Sequence, residues 1–204
     1  MLPSIVTDSV SSAGLPRPGT RLRLIRAAVR LFQERGYHGT GTADILLAAR
    51  APRGSLYHHF KGGKVELACA AAEWLADEVT LQIEHLRTTG VRASGVVESV
   101  ARASAAWLEA TRYRQGTLLA ALTAGLGAEP SLAPAVAAAF RRIEKAFTMT
   151  FTASGIPANT AAVLAQTTMV ELEGALLLAR AHRDSQLLIE RMSRIGRQIS
   201  GACA

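Results

Sequence analysis

Cysteine is nearly absent from this chain of 204 residues. Cys69 and Cys203 stand far apart and in no CxxC or His-x-Cys spacing, which excludes a disulfide scaffold and a structural zinc site and fits a reducing compartment. No stretch of about 18 uncharged apolar residues occurs, and the first residues lack a charged segment followed by an apolar one. The expectation is a cytoplasmic protein with no membrane partner. Catalytic strings are missing as well: there is no GxSxG, HExxH or P-loop, and the adjacent pair His58 and His59 cannot share a helical face as i, i+4 metal ligands do. Neither an enzyme nor a metal or cofactor site is expected. Runs of β-branched residues alternating with period two are almost absent, while Ala and Leu dominate and 49% of residues are apolar. That composition favours an all-α fold.

What charge there is lies at one end. Residues 1–63 carry nine Arg and Lys against three Asp and Glu, whereas residues 64–204 carry fourteen against thirteen, so nearly all of the formal +7 belongs to the N-terminal part. A small basic unit beside a larger, almost neutral one suits a polyanion-binding head on a neutral body, although a basic face that merely aids solubility has the same signature.

Pro, Gly and helical periodicity divide the chain into nine helices. Residues 1–19 mix Ser, Pro, Gly and short apolar residues without period and read as a disordered arm. Thr20 is placed to cap a first helix whose Leu24, Ala27, Ala28, Leu31 and Phe32 repeat at three and four, and Gly36 ends it. Thr42 is placed to cap a second helix to about Ala49, and Arg50-Ala51-Pro52 breaks it before a third over Arg53 to His59. A long helix from Lys64 to about Thr88 follows, with Leu67, Ala71, Trp74, Leu75 and Leu81 inward. Further helices are predicted over Val91–Tyr113, Gly116–Gly125, Ser131–Ser154, Pro157–Ala181 and Ser185–Ile199. The division is an arm at 1–19, a three-helix head at 20–66 and a six-helix body at 67–204.

Two short helices joined by a tight break, the second small and polar on its outer side, make a helix-turn-helix pattern. Leu56 and Phe60, four apart, are the buried clamp of the second helix, and Arg53, Ser55, Tyr57 and His58 are left outside with hydrogen-bonding groups for base edges or phosphates. The string Arg50-Ala51-Pro52-Arg53-Gly54-Ser55-Leu56-Tyr57-His58-His59-Phe60, with Lys61-Gly62-Gly63-Lys64-Val65-Glu66-Leu67 after it, resembles the DNA-binding signature of the tetracycline-repressor (TetR) family. Ala27 to Phe32, Gly36-Tyr37 and Thr42 to Ala49 resemble that family's first two helices.

The resemblance implies a DNA-binding transcriptional regulator. It implies that Arg53, Gly54, Ser55, Tyr57 and His58 touch DNA and that Thr42 and Lys64 hold phosphates at two helix N-termini, with His59 a further candidate. On the residues alone, Tyr57 and His59 could instead pack on the first or fourth helix. Arg50 departs from the family, which often has glycine there; a left-handed turn at that position carries a penalty of about 1 kcal/mol for a side chain. Gly62-Gly63 and the Arg-Gly-Ser-Leu-Tyr-His-His-Phe string look closest to the branch with multidrug and lincomycin-type resistance regulators.

In the body, Glu171 to Ala181 and Arg183-Asp184 also look like that branch, whose last two long helices pair with their twins. Leu188, Met192, Ile195 and Ile199 follow the spacing of an apolar seam, and Gly174 with Ala175 permits close helix approach. Such a seam packs either on a second subunit or inside its own. A homodimer is expected, since one short recognition helix buries too little for a tight palindromic operator. For the family's ligand cavity the candidates are Trp107, Tyr113, Phe140, Phe147, Phe151 and Met169, each of which could equally be ordinary core, and they point to a lipophilic or aromatic effector. Glu171 and Glu173 point about 200° apart, so at most one faces a cavity, and an internal ion pair with Arg180 or another Arg is the alternative. A helical protein that binds a small molecule without operator DNA is the other function class open at this point.

Overall fold

A computed structural model describes residues 18–203. The arm expected over 1–19 lies outside the described residues, apart from Pro18 and Gly19. Among the described residues there are nine α-helices, one short 3-10 turn and no strand. In chain order the helices are α1 (Thr20–Arg35), α2 (Thr42–Ala48), α3 (Ser55–His59), α4 (Gly63–Thr88), α5 (Ala93–Ala110), α6 (Leu118–Thr123), α7 (Ala133–Ala153), α8 (Ala158–His182) and α9 (Gln186–Ala202), with the 3-10 turn at Pro130–Leu132 before α7.

The packing falls into two compact units, and the division passes inside α4, between Leu75 and Ala76. The first unit holds the described residues up to Leu75 together with 117–139. Its core is Leu24, Ala28 and Phe32 of α1, Ile45 of α2, Leu56 and Phe60 around α3, Leu67 of α4, and Leu118 and Leu122 of α6, all at most 1% exposed. Each large side chain buried this way stabilises by about 1.5–3 kcal/mol relative to exposure. The small sixth helix packs against α1, so it serves the N-terminal unit.

Neither threonine chosen as a helix cap acts as one. Gly19 and Gly41 occupy the N-cap positions of α1 and α2 without a side-chain bond, and Thr20 and Thr42 are the first helical residues. Glycine is an acceptable N-cap where water can reach the free N–H groups. Thr20 Oγ1 instead accepts from Arg23 Nη2 at 3.2 Å, and Arg23 also donates to the Ala49 carbonyl at 3.1 Å and the Pro18 carbonyl at 3.0 Å. One guanidinium thus ties the start of α1 to the end of α2. Thr40, 1% exposed, closes the intervening loop by donating to the carbonyls of Leu31 and Gly36.

The second unit holds residues 76–116 and 140–203. Here α9 lies along α5 and α8. Gly196 faces α5, where a Cβ would sit 3.3 Å from Glu98 Oε1 and 3.7 Å from Ser94 Cβ. Leu188, Met192, Ile195 and Ile199, the stripe expected at a subunit seam, are at most 4% exposed within their own chain. They fill the α5–α8–α9 core. Leu81, expected inward, is 62% exposed: Ala76 and Ile83 hold the buried line of α4, and Leu81 stands about 140° around the helix from Ala76.

Candidate nucleic-acid interface

The helix-turn-helix is built by a hydrogen-bonded stop and a restart. After α2 the N–H of Ala51 donates to Leu46 at 3.0 Å and that of Arg50 to Leu47 at 3.0 Å, a Schellman closure that requires the residue between cap and turn to be left-handed. Arg50 takes that conformation with φ 48°, as the glycine-like position in the sequence suggested, and its side chain is exposed. The next helix begins at Ser55, two residues later than expected from the pattern. Pro52, Arg53 and Gly54 form a turn, with the Ser55 N–H donating to the Pro52 carbonyl at 2.9 Å, and Gly54 is the N-cap.

On α3 the clamp is as expected: Leu56 is 1% and Phe60 0% exposed. Arg53, Gly54 and His58 are exposed, Tyr57 is 64% exposed, and Ser55 and His59 are half-buried. The rings of His58 and His59 meet edge to face with centroids 4.8 Å apart. Tyr57 projects outward and also leans on the next turn. Gly63 is left-handed with φ 65°, and a Cβ there would come 3.3 Å from Tyr57 Cε1, so glycine is favoured by its φ and a larger residue would push the tyrosine ring aside. Glu66 reaches back to accept the Gly62 N–H at 2.7 Å, fixing the start of α4.

Thr42 and Lys64, the two expected phosphate anchors, are each half-buried in the first turn of α2 and α4. The Lys64 ammonium sits 4.1 Å above the ring of Tyr37, and burial lowers its pKa. Tyr37 is a residue that sequence reasoning passed over; its only signal was the Gly36-Tyr37 pair at the end of α1. Two more cations rest on aromatic faces, Arg21 at 5.2 Å over Phe60 and Arg26 at 5.9 Å over Trp74. Arg23 is structural, whereas Arg21, Arg50, Arg53 and Lys61 place positive charge at the surface of the same unit.

The candidate ligand residues separate by burial. Phe147 and Phe151 are core, at most 1% exposed, with ring centroids 6.0 Å apart, and Met169 is also buried. Trp107, Tyr113, Phe140 and Glu171 are half-buried, and Trp107 donates from Nε1 to Gln115 Oε1 at 3.2 Å. Arg180 donates to the carbonyls of Tyr113 and Arg114. Among the described residues no group of three or more His, Cys, Asp or Glu is placed to hold a metal ion. Cys69 and Cys203 are free thiols, and burial, with nearby Glu73, pushes the Cys69 pKa up.

Gly174 is exposed with nothing near the position of an added Cβ, and it stands in a row with Val163, Val170 and Leu177, which are 62%, 73% and 64% exposed. By length and composition alone α8 is also apolar enough to cross a membrane. Its opposite face is buried through Ala161, Ala165, Thr168, Leu172, Ala175 and Ala179.

Comparison with known proteins agrees with this geometry. Residues 24–71 match the family described as bacterial regulatory proteins, tetR family, and residues 93–193 match the C-terminal domain of LmrA/YxaF-like transcriptional regulators. An uncharacterized HTH-type transcriptional regulator of Mycobacterium tuberculosis, Rv0196, is 34% identical over 172 residues, covering 81% of this chain and 87% of its own. YxaF of Bacillus subtilis, likewise an uncharacterized HTH-type transcriptional regulator, is 30% identical over 176 residues, covering 85% and 91%. The crystal structure of regulatory protein TetR from Rhodobacter sphaeroides matches with a TM-score of 0.76 at 24% identity, over 87% of this chain and 97% of that one. A TetR transcriptional regulator from Legionella pneumophila matches at 0.77 with 20% identity, over 90% and 99%. Those two likenesses concern the fold; function rests on the matched head and on relatives aligned over most of both chains. On these grounds the chain belongs to the TetR family of bacterial regulatory proteins and is a DNA-binding transcriptional regulator.

Proposed function

We propose that this chain is a homodimeric repressor of a palindromic operator and that a small lipophilic or aromatic effector releases it. The observation that carries the reading is the two-sided third helix: Leu56 and Phe60 lock α3 into the head, and Arg53, Tyr57 and His58 are left pointing away from it. In this reading residues 20–66 grip DNA, residues 67–204 bind effector and partner, and the protein works in the cytoplasm where its operator is. Arg53, Gly54, Ser55 and His58 meet base edges and nearby backbone, while Thr42, Tyr57, His59 and Lys64 meet phosphates.

Regulators of this family bind DNA operators and act as dimers. The exposed row Val163, Val170, Gly174 and Leu177 on α8 supports a second copy as the partner here, because it leaves apolar side chains in water around a glycine that lets a twin helix approach. The α9 stripe is buried inside the subunit and so supports α8 from behind. For the effector, an aromatic and aliphatic interior around Phe147, Phe151 and Met169 favours lipophilic over phosphorylated ligands. Release requires that the effector bind the DNA-incompetent arrangement better, since equal affinity shifts nothing.

The test is fluorescence polarisation on a duplex selected from a random pool by the full-length protein. Tyr57→Ala should weaken binding to the selected and to a scrambled duplex alike and flatten the salt dependence by about 0.9 per lost phosphate contact and head. Arg53→Ala should cut the preference for the selected duplex by about 10-fold, corresponding to one base contact of about 1–3 kcal/mol. Folded variants that bind both duplexes like the wild type would overturn the head assignment.

A further inference from the structure

Lys64 is a proposed phosphate anchor whose ammonium lies on an aromatic face, and the ring that carries it touches two other parts of the same compact unit. We propose that Tyr37 is a positioning residue that aims the Lys64 ammonium at DNA phosphate and couples it to the turn after α6, so that a displacement of that turn is felt at a DNA contact. The inference rests on the proposed phosphate role of Lys64 and adds a residue and a route to it.

Three observations meet at Tyr37. Lys64 Nζ stands 4.1 Å above its ring, which holds a flexible four-carbon side chain near one place in the absence of DNA. An ordered ammonium loses less freedom on meeting a phosphate than a free one does. Tyr37 itself is only 6% exposed and is wedged between Phe32, with centroids 5.6 Å apart, and His38, 5.3 Å away edge to face. A ring packed so closely moves only with its neighbours. From the other direction comes the segment 117–139: a Cβ on Gly125 would stand 3.2 Å from both Cβ and Cδ1 of Tyr37, so the turn after α6 already lies against the ring. The Glu129 carboxylate, four residues further on, acts on the same phenol, adding to burial in raising its pKa.

Backbone contact at one side and cation contact at another make Tyr37 a bridge only a few ångströms long. A shift of a few tenths of an ångström in the 122–125 turn has no slack to absorb it, because Gly125 supplies the closest approach that a residue can have. The ammonium then leaves its place over the ring, and one phosphate contact weakens in each head.

The experiment is a salt titration of the full-length protein on a fluorescein-labelled duplex of random sequence, about 20 bp, over roughly 50–300 mM salt, because phosphate contacts are sequence-independent. Lys64→Ala tests the underlying reading: its slope should fall by about 0.9 per head. An unchanged slope there would remove Lys64 from the interface, whatever Tyr37 does. Given that fall, Tyr37→Leu, shown folded by circular dichroism, should flatten the slope as much as Lys64→Ala does, and the double variant should add nothing further. Tyr37→Phe keeps the ring face and should retain the wild-type slope. Tyr37→Leu with a wild-type slope, or with an effect that adds fully to Lys64→Ala, would overturn the positioning role. The second arm is Gly125→Ala, whose Cβ would meet Tyr37 and the Leu122 carbonyl oxygen, each at 3.2 Å, and so presses the turn against the ring. It should weaken binding about 3-fold with a flatter slope, and unchanged affinity and slope would overturn the coupling to α6.

Discussion

Arg180 donates from Nε to the Tyr113 carbonyl at 3.3 Å and from Nη2 to the Arg114 carbonyl at 3.1 Å, so a side chain of α8 closes the turn that follows α5. That turn is strained. Arg112 and Tyr113 are consecutive left-handed residues with φ 53° and 59°, a conformation unfavourable by about 1–2 kcal/mol for each side-chain-bearing residue. The two hydrogen bonds are accepted by carbonyls of the turn itself, three and four residues past the end of α5, and the fork of the guanidinium spans both.

Arg180→Ala should therefore lower stability by about 1–2 kcal/mol, a reduced figure because the group is partly exposed, and lower the Tm by about 2–6 °C in differential scanning calorimetry. Arg180→Lys should recover less than half of the loss, since an ammonium cannot reach both carbonyls in the same geometry. An Arg180→Ala protein that melts with the wild type would show that the clamp contributes nothing.

Five helices end in the same pair of hydrogen bonds around a left-handed residue. At the ends of α4 and α7 that residue is Gly90 or Gly155; at the ends of α2, α5 and α8 it is Arg50, Arg112 or Arg183. Arg183→Gly should raise stability by up to about 1 kcal/mol and the Tm by about 2–4 °C, because glycine adopts the conformation without a Cβ clash. Arg50→Gly should gain similarly in stability while losing DNA affinity with the charge it removes. A lower Tm for Arg183→Gly would mean that its side chain stabilises the turn by more than the strain.

The two apolar rows of the last helices should respond differently to the same change. Leu188→Glu puts a carboxylate into a site that is 0% exposed and should abolish cooperative unfolding or lower stability by at least about 3 kcal/mol. Leu177→Glu, on a site 64% exposed, should leave the melt of the single subunit nearly intact and yield monomers in sedimentation velocity at micromolar protein. A folded, dimeric Leu177→Glu protein would place the subunit contact elsewhere.

Much of the N-terminal unit was legible in the residues alone. Pro52, the glycines at 36, 54, 62 and 63, and the Leu56–Phe60 spacing act through local backbone preference and period, and local rules transfer directly from sequence to structure. Cap positions were missed by a residue because Gly19 and Gly41 compete with Thr20 and Thr42 for one place, and either chemistry is acceptable there. Tyr37 went unnoticed because its contacts with Lys64 and Gly125 join residues far apart in the chain.

The body shows where the limit lies. From periodicity, Leu188, Met192, Ile195 and Ile199 must be covered by something, but a period of 3.6 states only that a face is apolar and not which surface covers it. Tertiary packing decided that: α5 and α8 close over this stripe, helped by Gly196, and the apolar row left in water is on α8. No period could single out that row, since α8 is apolar nearly all round and its buried and exposed sides have similar composition. The sequence by itself determined nine helices, their breaks and the head that meets DNA, because these depend on residues near one another in the chain. Only the three-dimensional packing decided that α6 belongs with the head and which apolar face stays open, because both depend on which helices meet across the chain.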